Sequence, residues 1–268
     1  MPIHPTAIVD KSAEIDASAE IGAYAIIESG AVIGEESHVY PHAFVGSAAR
    51  IGRAVQIHPF AVVGHHPQDV KWDGSPSFAH IGDETIIREH ASIHRGSEPG
   101  SATTVAARCF IMSAAHVAHN CSVADDVVIA SGAVLGGHVQ VGERAFIGGN
   151  AAVHQFVRVG ELVMLGGLHR AISDLPPFMT FGDDGVQAVN VIGLRRAGFT
   201  PVERDEIRAC HRTLYRSGLL FQAAIDKVER SVRTEPGRRL VAFLRGPAKR
   251  GFARYTRRNR PERQEPVP

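Results

Sequence analysis

The stretch from Glu20 to Val63 reads EIGAYAIIESGAVIGEESHVYPHAFVGSAARIGRAVQIHPFAVV. An aliphatic residue occupies every sixth position in it, giving the series Ile21, Ile27, Ile33, Val39, Val45, Ile51, Ile57 and Val63. The same series runs upstream through Ile3, Val9 and Ile15, resumes at Ile81, Ile87 and Ile93, and continues from Val105 to Leu165. A fixed period sustained over so much of a chain indicates a repeat architecture.

The six-residue period fits neither the 3.6 of an α-helix nor the simple alternation of an isolated strand. It predicts a short strand followed by a turn, with one aliphatic side chain pointing inward per unit. Three such units close one triangular coil, and coils stacked about 4.8 Å apart bury a column of Ile and Val. Glycine often follows the aliphatic residue, as in Ile33-Gly34, and we expect it to give a tight corner its backbone freedom.

Two polar segments that contain Gly and Pro interrupt the repeat, namely residues 64–80 (GHHPQDVKWDGSPSFAH) and 94–104 (HRGSEPGSATT). We expect both to project outward as loops, which usually serve function, although insertions that only fill a subunit contact would look similar. The repeat decays after Ala171, so the sequence predicts a mainly β protein. Its parallel β-helix covers residues 1–190 with loops at 64–80 and 94–104, and a small C-terminal helical domain with a basic tail covers residues 191–268.

The C-terminal domain carries a clear helix start at Thr200-Pro201-Val202-Glu203, with Thr as N-cap, Pro at the first position and Glu closing a capping box. We predict one helix from there to about Ser217, a second over Leu219 to Val232 and a third around Arg239 to Phe243. The tail from Val232 to Pro268 holds 11 Lys or Arg and 3 acidic residues. Such a tail can bind an acidic partner or remain solvated.

Composition limits the class of protein. The net charge of +1 favours neither nucleic acid nor a membrane surface as a partner. The 3 cysteines, Cys109, Cys121 and Cys210, are too few and too scattered for a disulfide framework or a CxxC metal site. The first residues lack the layout of a signal peptide, and no run is apolar enough to span a membrane. We therefore expect a cytoplasmic protein without stable membrane insertion.

Several of the 15 histidines are concentrated on the later coils, namely His94, His116, His119, His138 and His154. Residues 18 apart should lie one above another, which places His119, Gly137 and Gln155 in one column. A histidine that accepts a proton from an alcohol, beside a backbone N–H that stabilises an oxyanion, suits acyl transfer to a hydroxyl. Taken singly, each of these histidines is better explained as a residue of a polar surface. Their stacking in register with glycine favours the catalytic interpretation for the group.

Five motifs carry a resemblance to a known family: PQDVKW (67–72), IHRG (93–96), AAHVAHNC (114–121), GGHV (136–139) and GGNAAVHQF (148–156). In this order they resemble the UDP-N-acetylglucosamine O-acyltransferases of lipid A biosynthesis, within the hexapeptide-repeat transferase superfamily. The resemblance implies a left-handed β-helix, although parallel crossovers are generally right-handed. It also implies a homotrimer with active sites between neighbouring prisms, and an acyl group delivered by acyl carrier protein (ACP).

The resemblance assigns roles to individual residues. His119 corresponds to the general base that deprotonates the sugar 3-hydroxyl, and Gly137 to the oxyanion-stabilising N–H. Gly167 corresponds to the position that limits acyl length, and its lack of a side chain should admit a longer chain. The remaining matched positions lie near the sugar, the acyl chain, the nucleotide or the phosphopantetheine arm: Gln68, Asp69, Lys71, His94, His116, His138, His154, Gln155, Asn190 and Arg196. No metal and no separate cofactor are implied, because 4′-phosphopantetheine arrives on ACP.

Some positions depart from the family pattern. Asn120 stands beside the base where an aspartate is common, and an amide can orient an imidazole without contributing negative charge. We therefore expect a weaker base. Between Gly182 and Gly198, Ile192 replaces an expected glutamate, Ala197 replaces an expected second arginine, and Asp183 or Asp184 replaces a histidine. These changes put the sugar acceptor in question more than the chemistry.

Other functions are compatible with parts of the pattern. A paralogue could acylate another nucleotide sugar, including a 3-amino sugar, and a related acetyltransferase could use acetyl-CoA. A zinc enzyme similar to γ-type carbonic anhydrases would need three histidines between subunits. That family's paired ligands are five apart, whereas His116 and His119 are three apart and His90 and His94 four apart. A scaffold without activity would keep the solenoid and tolerate any change of His119.

Overall fold

The computed structural model describes residues 3–182 and 185–254. Asp183, Asp184 and the last part of the basic tail lie outside the described residues. Within them, short strands form three sheets that enclose a triangular prism. Neighbouring strands of each sheet are parallel and one coil apart, as where Val117 pairs with Leu135 and Leu135 with Val153. The antiparallel pair β26 and β27 closes the last coil.

We name the sheets A, B and C in the order in which the chain first visits them. Sheet A contains β1 Ile8–Val9, β4 Ile26–Ile27, β7 Phe44–Val45, β10 Val62–His65, β13 Ser92–His94, β16 His116–Val117, β19 Val134–Leu135, β22 Ala152–Val153 and β25 Arg170–Ala171. Sheet B contains β2 Glu14–Ile15, β5 Val32–Ile33, β8 Ala49–Ile51, β11 Phe78–Ile81, β14 Ala102–Val105, β17 Ser122–Val123, β20 Gln140–Val141 and β23 Arg158–Val159. Sheet C contains β3 Glu20–Ile21, β6 His38–Val39, β9 Gln56–Ile57, β12 Ile86–Ile87, β15 Phe110–Ile111, β18 Val128–Ile129, β21 Phe146–Ile147, β24 Met164–Leu165, β26 Met179–Gly182 and β27 Gly185–Val189.

The predicted aliphatic column forms the core of the prism. Every member of the series from Ile21 to Leu165 is buried, and Ile3, Val9 and Ile15 at the open end are partly buried. Full burial of one such side chain stabilises the fold by roughly 1.5–3 kcal/mol. Small residues two positions before the aliphatic one, such as Ala25, Ala61 and Ala91, are also buried. Because they occupy little volume, the facing Ile and Val side chains can meet at the centre.

The predicted reason for the corner glycines was wrong. Gly34 does not adopt a left-handed backbone; instead, a Cβ atom there would lie 2.6 Å from the carbonyl oxygen of Gly52 on the next coil. Glycine is required at that corner by close stacking of coils. The left-handed conformation occurs three positions after the aliphatic residue and is mostly adopted by other residues, including Tyr24, Asn120 and His138 with φ of 59°, 59° and 60°.

The two interruptions leave the stacking intact. The first connects β10 to β11 and the second connects β13 to β14. They contact each other, since the Arg95 guanidinium lies 5.1 Å from the centre of the Trp72 ring, a cation–π contact. Arg95 is buried, and its Nη1 donates to Ser47 Oγ at 2.9 Å. The loops are thereby fixed against the prism.

Helices follow the last strand: α1 Val191–Arg196, α2 Pro201–Arg216, α3 Phe221–Ser231 and α4 Glu235–Arg245. The capping box at Thr200 and Glu203 is present as predicted. Helix α1 was not predicted, and α4 is longer than predicted because Thr234 caps it, accepting from Gly237 N at 3.2 Å. Along the described chain, no helix combines the length and apolar character needed to cross a membrane.

The described part of the basic tail packs against the prism. After α4 the chain returns to the prism, where Gly251 O accepts from Asp174 N at 2.8 Å and Asp174 O accepts from Ala253 N at 2.9 Å. The Arg158 guanidinium packs on Phe243 and Phe252 beside this contact. Residues 246–254 therefore join the helices to the last coils of the β-helix.

Candidate active site

The predicted column lies at the corner between sheets A and B. His119 follows β16, and Gly137 follows β19 one coil above. The backbone joins these coils, since His119 O accepts from His138 N at 3.0 Å and Gly137 O accepts from Phe156 N at 3.0 Å. The 18-residue spacing thus places His119, Gly137 and Gln155 one above another, as the period predicts.

The side chain of Asn120 fixes the tautomer of His119. Asn120 Oδ1 accepts from Ser97 N at 2.9 Å and from Ser97 Oγ at 3.1 Å, so this atom is the carbonyl oxygen. His119 Nδ1 lies 2.9 Å from the same oxygen and must therefore carry the proton that it donates. In the neutral imidazole, Nε2 is then left with a free lone pair. A general base needs such an atom.

Gly137 lies directly against this lone-pair side of the ring. A Cβ atom on Gly137 would meet His119 Cε1 at 2.6 Å and Nε2 at 2.7 Å, so any larger residue would displace the imidazole. Within residues 3–182 and 185–254, the Gly137 N–H makes no hydrogen bond. It is therefore available to a ligand next to the base.

A second pair of histidines, the buried His94 and the partly buried His116, lies beside the column. The rings of His94 and His116 meet edge to face with centroids 5.0 Å apart, and His116 Nδ1 lies 2.8 Å from Ser92 Oγ. Burial lowers the pKa of His94 to about 4 and also lowers the pKa of His116. Both rings are therefore neutral at pH 7 and can hydrogen-bond a substrate without adding charge.

His138 connects the column to the C-terminal segment. Its ring is perpendicular to that of His119, with centroids 5.3 Å apart, and is stacked on Phe156 at 4.7 Å. Lys249 Nζ lies 4.6 Å from the centre of the Phe156 ring. Burial lowers the pKa of His138, while the nearby Glu98 carboxylate acts in the opposite direction. His154 is exposed, and its Nδ1 lies 3.3 Å from Gln155 O.

The first loop brings Asp69 to the same corner, with Gln68 and Lys71 next to it in the chain. Asp69 Oδ1 accepts from Lys71 N at 3.0 Å, and this hydrogen bond holds the pKa of the carboxyl below its usual value. Ser97 and His119 lie close enough to Asp69 to lower its pKa further. Gln68 and Lys71 are exposed. The loop thus presents one carboxylate near the base, flanked in sequence by two exposed polar side chains.

The structure does not bring Asn190 and Arg196 to His119 within one chain. Both line a cavity of about 850 Å³ against sheet C, together with Arg144 and Ile192. Asn190 caps α1, accepting from Gly193 N at 2.9 Å and donating from Nδ2 to Leu162 O at 2.9 Å. Ile192 is 65% exposed at the cavity mouth, and Arg196 is exposed. These residues therefore occupy a different face of the prism from the histidines.

Gly167 lies at a third location, the corner between sheets C and A. A Cβ atom there would be 3.1 Å from Gly149 O, a tight contact with the coil below. The side of the prism formed by sheet A separates Gly167 from His119. In the portion of the chain described here, no group of three or more His, Cys, Asp or Glu side chains is arranged to hold a metal ion.

Sequence reasoning missed four residues of this site: Ser97, Glu98, Phe156 and Lys249. Phe156 could have been predicted, because it follows His138 by 18 residues and therefore lies directly above it on the next coil. Ser97 and Glu98 lie in an insertion without a period, and Lys249 reaches the site only by the return of the chain after α4. No sequence pattern places these three.

Comparison with known proteins gives a consistent result. Residues 174–253 match the family described as UDP N-acetylglucosamine O-acyltransferase, domain 2, and residues 102–137 match bacterial transferase hexapeptide repeats. The chain is 42% identical over 258 residues to the acyl-[acyl-carrier-protein]–UDP-N-acetylglucosamine O-acyltransferase of Syntrophobacter fumaroxidans, covering 95% of this chain and 100% of that one. The enzyme of the same name from Paraburkholderia phymatum is 38% identical over 260 residues, covering 94% and 99%.

A solved structure agrees with these relatives. LpxA from Acinetobacter baumannii superposes with a TM-score of 0.91 at 32% identity, covering 95% of this chain and 100% of that one. The predicted left-handed β-helix with a small C-terminal helical region is thereby confirmed. These relatives are acyltransferases, so acyl transfer is favoured over the zinc-enzyme and scaffold alternatives. The chain therefore belongs to the UDP-N-acetylglucosamine O-acyltransferase family of lipid A biosynthesis.

Proposed function

We propose that this enzyme transfers a 3-hydroxyacyl group from ACP to the 3-hydroxyl of UDP-N-acetylglucosamine in the cytoplasm. The observation that carries the proposal is the pairing of His119 and Gly137. Nδ1 of His119 is protonated and held by Asn120, Nε2 carries a lone pair, and an unused backbone N–H lies beside it.

The pairing supports a direct transfer. His119 Nε2 takes the proton of the sugar hydroxyl as its oxygen attacks the thioester carbonyl carbon. The carbonyl oxygen becomes an oxyanion, which the Gly137 N–H stabilises. The intermediate then collapses, the C–S bond breaks, and the imidazolium returns its proton to the phosphopantetheine sulfur. The steps balance without a metal, a separate cofactor or a covalent enzyme intermediate.

The surrounding polar groups fit a sugar. His94 and His116 are neutral and partly enclosed, and Asp69 is a carboxylate next to the base. We assign sugar binding to these three residues. Contacts with the sugar or the acyl chain are assigned to Gln68, Lys71, His138, His154 and Gln155. The acyl chain runs along sheet A from His119 towards Gly167, whose missing side chain admits a long chain.

The separate location of Asn190 and Arg196 supports assembly as a homotrimer. Both residues line the cavity on sheet C, whereas His119 lies at the corner between sheets A and B. In a trimer, one subunit supplies His119 to a cleft between two prisms, and its neighbour supplies Asn190 and Arg196 to the same cleft. There, Asn190 and Arg196 bind the nucleotide or the phosphopantetheine arm of ACP.

The decisive experiment is single-turnover transfer from a panel of 3-hydroxyacyl-ACPs to UDP-N-acetylglucosamine and to its 3-amino analogue. Wild type is compared with His119→Ala, and His4→Ala serves as the control because His4 is exposed on the first coil. Transfer to the hydroxyl sugar that is lost only in His119→Ala establishes the reaction and the base. Transfer to the amine alone makes the protein an acyltransferase of a 3-amino sugar, and transfer to neither sugar refutes both assignments.

A further inference from the structure

The carboxylate of Glu98 lies immediately beyond Asn120 in the second loop. Glu98 Oε2 accepts from Asn120 Nδ2 at 2.5 Å, and Glu98 Oε1 lies 3.7 Å from His138 Nε2. The loop holds this position, because Ser101 Oγ accepts from Glu98 N at 3.0 Å and donates to Glu98 O at 2.7 Å. Glu98 therefore contacts both residues that flank the imidazole of His119.

The orientation of Asn120 makes this contact continuous with the base. Its Oδ1 is identified by the Ser97 N–H that it accepts, so Nδ2 necessarily faces Glu98. The backbone N of Asn120 donates to the buried Thr103 Oγ1 at 2.8 Å, which holds the residue in its left-handed conformation. Two hydrogen bonds thus link His119 Nδ1 to Asn120 and Asn120 to the Glu98 carboxylate.

We propose that Glu98 is a positioning residue for acyl transfer and forms a His119–Asn120–Glu98 relay. The amide of Asn120 carries no charge, so the negative charge behind the base resides one residue further out. It polarises the amide, strengthens the His119–Asn120 hydrogen bond and stabilises the imidazolium formed during transfer. The proposal rests on the proposed function, because the imidazolium arises only if His119 acts as the base.

Other charged or titratable groups also face His119, namely Asp69, His94, His116 and His138. The three histidines have lowered pKa values and are neutral at pH 7, so they do not compensate the imidazolium. Asp69 is a carboxylate that accepts from Lys71 N and also interacts with His119 and Ser97, so it faces the base from the first loop. Among the described residues, Glu98 is the carboxylate that accepts directly from the Nδ2 of Asn120.

Glu98→Gln tests the charge and retains an acceptor for Asn120 Nδ2. Because Glu98 is half exposed, we expect a modest loss in kcat of about five- to tenfold. The acid limb of the kcat/KM profile should move to lower pH, since the imidazolium loses stabilisation. Glu14→Gln on the first coils also removes an exposed charge, far from the site, and should leave kcat and the pH profile unchanged.

Asn120→Asp provides a rescue test that a purely structural role would not pass. In the wild-type background, the new carboxylate meets that of Glu98, and like charges at this distance should reduce activity. Combined with Glu98→Gln, the same substitution returns a single negative charge next to His119. The double variant should recover kcat to within about twofold of wild type.

NMR titration of histidine-labelled protein gives a readout that needs no substrate. The His119 signal, identified by its loss in His119→Gln, should titrate at lower pH in Glu98→Gln. An unchanged midpoint, or failure of Asn120→Asp to rescue, overturns the relay. If wild type transfers no acyl group while the midpoint still moves, the proposed function fails and the electrostatic coupling stands.

Discussion

Arg158 and Asp174 form an ion pair at the junction between the last coils and the helices, with 2.7 Å between Nε and Oδ2. Asp174 is fully buried, and its Oδ1 also accepts from Arg158 N at 2.8 Å. The guanidinium lies 4.3 Å from the centre of the Phe243 ring and donates to Phe243 O at 3.2 Å. A single side chain thus connects sheet B, α4 and the returning C-terminal segment.

Asp174→Ala should therefore destabilise the protein by about 3–5 kcal/mol, because it leaves a buried guanidinium without its counter-charge. Urea unfolding at fixed protein concentration measures the loss. Asp205→Ala, which breaks the exposed pair with Arg208, should cost at most about 1 kcal/mol. Equal losses for the two variants would contradict a structural role for the buried pair. Replacing both partners, with Asp174→Leu and Arg158→Met, should cost less than Asp174→Ala alone.

Gly137→Ala should reduce kcat by about 100-fold with little change in stability, because the new methyl group displaces the His119 ring. Gly34→Ala should behave in the opposite way. Its Cβ meets the backbone of the next coil far from the site, so unfolding becomes easier while the folded enzyme keeps its kcat. Steady-state kinetics and thermal unfolding of both variants check this contrast. Parallel losses of stability in the two variants would argue against the specific contact with His119.

Gly167→Met should shift the preferred donor to a shorter acyl chain. The glycine stands at the far end of sheet A from His119, and a side chain there fills space that the end of the acyl chain would occupy. Competition between 3-hydroxyacyl-ACPs of different length in one reaction measures the preference. Gly167→Ala should give a smaller shift, and an unchanged preference in Gly167→Met would show that the acyl chain ends elsewhere.

Stability should fall as the pH decreases from about 6.5 to about 4. Burial lowers the pKa of both His94 and His211 to about 4, whereas an unfolded histidine titrates near 6.5. Below a pH of about 6.5, these histidines bind protons in the unfolded chain and stay neutral in the folded chain. Lower pH therefore favours unfolding. Thermal unfolding at pH 7.5, 6 and 5 measures the trend. His211→Gln should reduce the slope, and an identical slope would contradict the assignment to this residue.

Replacing Arg195 and Arg196 together with Ala should raise the KM for acyl-ACP and weaken its dependence on salt. Both side chains are exposed in the last turn of α1, where they can attract an acidic carrier. The KM is measured at several salt concentrations, with Arg208→Ala on the exposed pair of α2 as the control. An unchanged KM at low salt would place the docking surface elsewhere.

The sequence predicts those features of the structure that depend on its six-residue repeat. Burial of the aliphatic column and the stacking of His119 with Gly137 both follow from spacing, because each coil repeats the geometry of the one before. The corner at Gly34 was assigned to the correct residue for the wrong reason. Contact between coils is a property of the stacked prism, and a single repeat does not contain it.

Features that depend on aperiodic segments were not predicted. Glu98 reaches Asn120 across 22 residues, and Lys249 approaches Phe156 only after the chain has passed through four helices. Helix α1 was missed because its six residues are too few to show a helical period. The sequence leaves position 120 without a charge, and the hydrogen bond from Asn120 to the Glu98 carboxylate is visible only in the folded loop.

Sheet A keeps its register across coils of different length. Val63 pairs with Ile93, Ile93 with Val117 and Val117 with Leu135, so coils of 30, 24 and 18 residues stack in the same way. Mutations that lengthen, shorten or rewrite the loop around Glu98 therefore leave the aliphatic column in place. Substitutions in the loops can change which sugar binds or how basic His119 is, while the buried aliphatic column continues to stabilise the fold. Enzymes of this family can thus diverge in specificity without first acquiring a new scaffold.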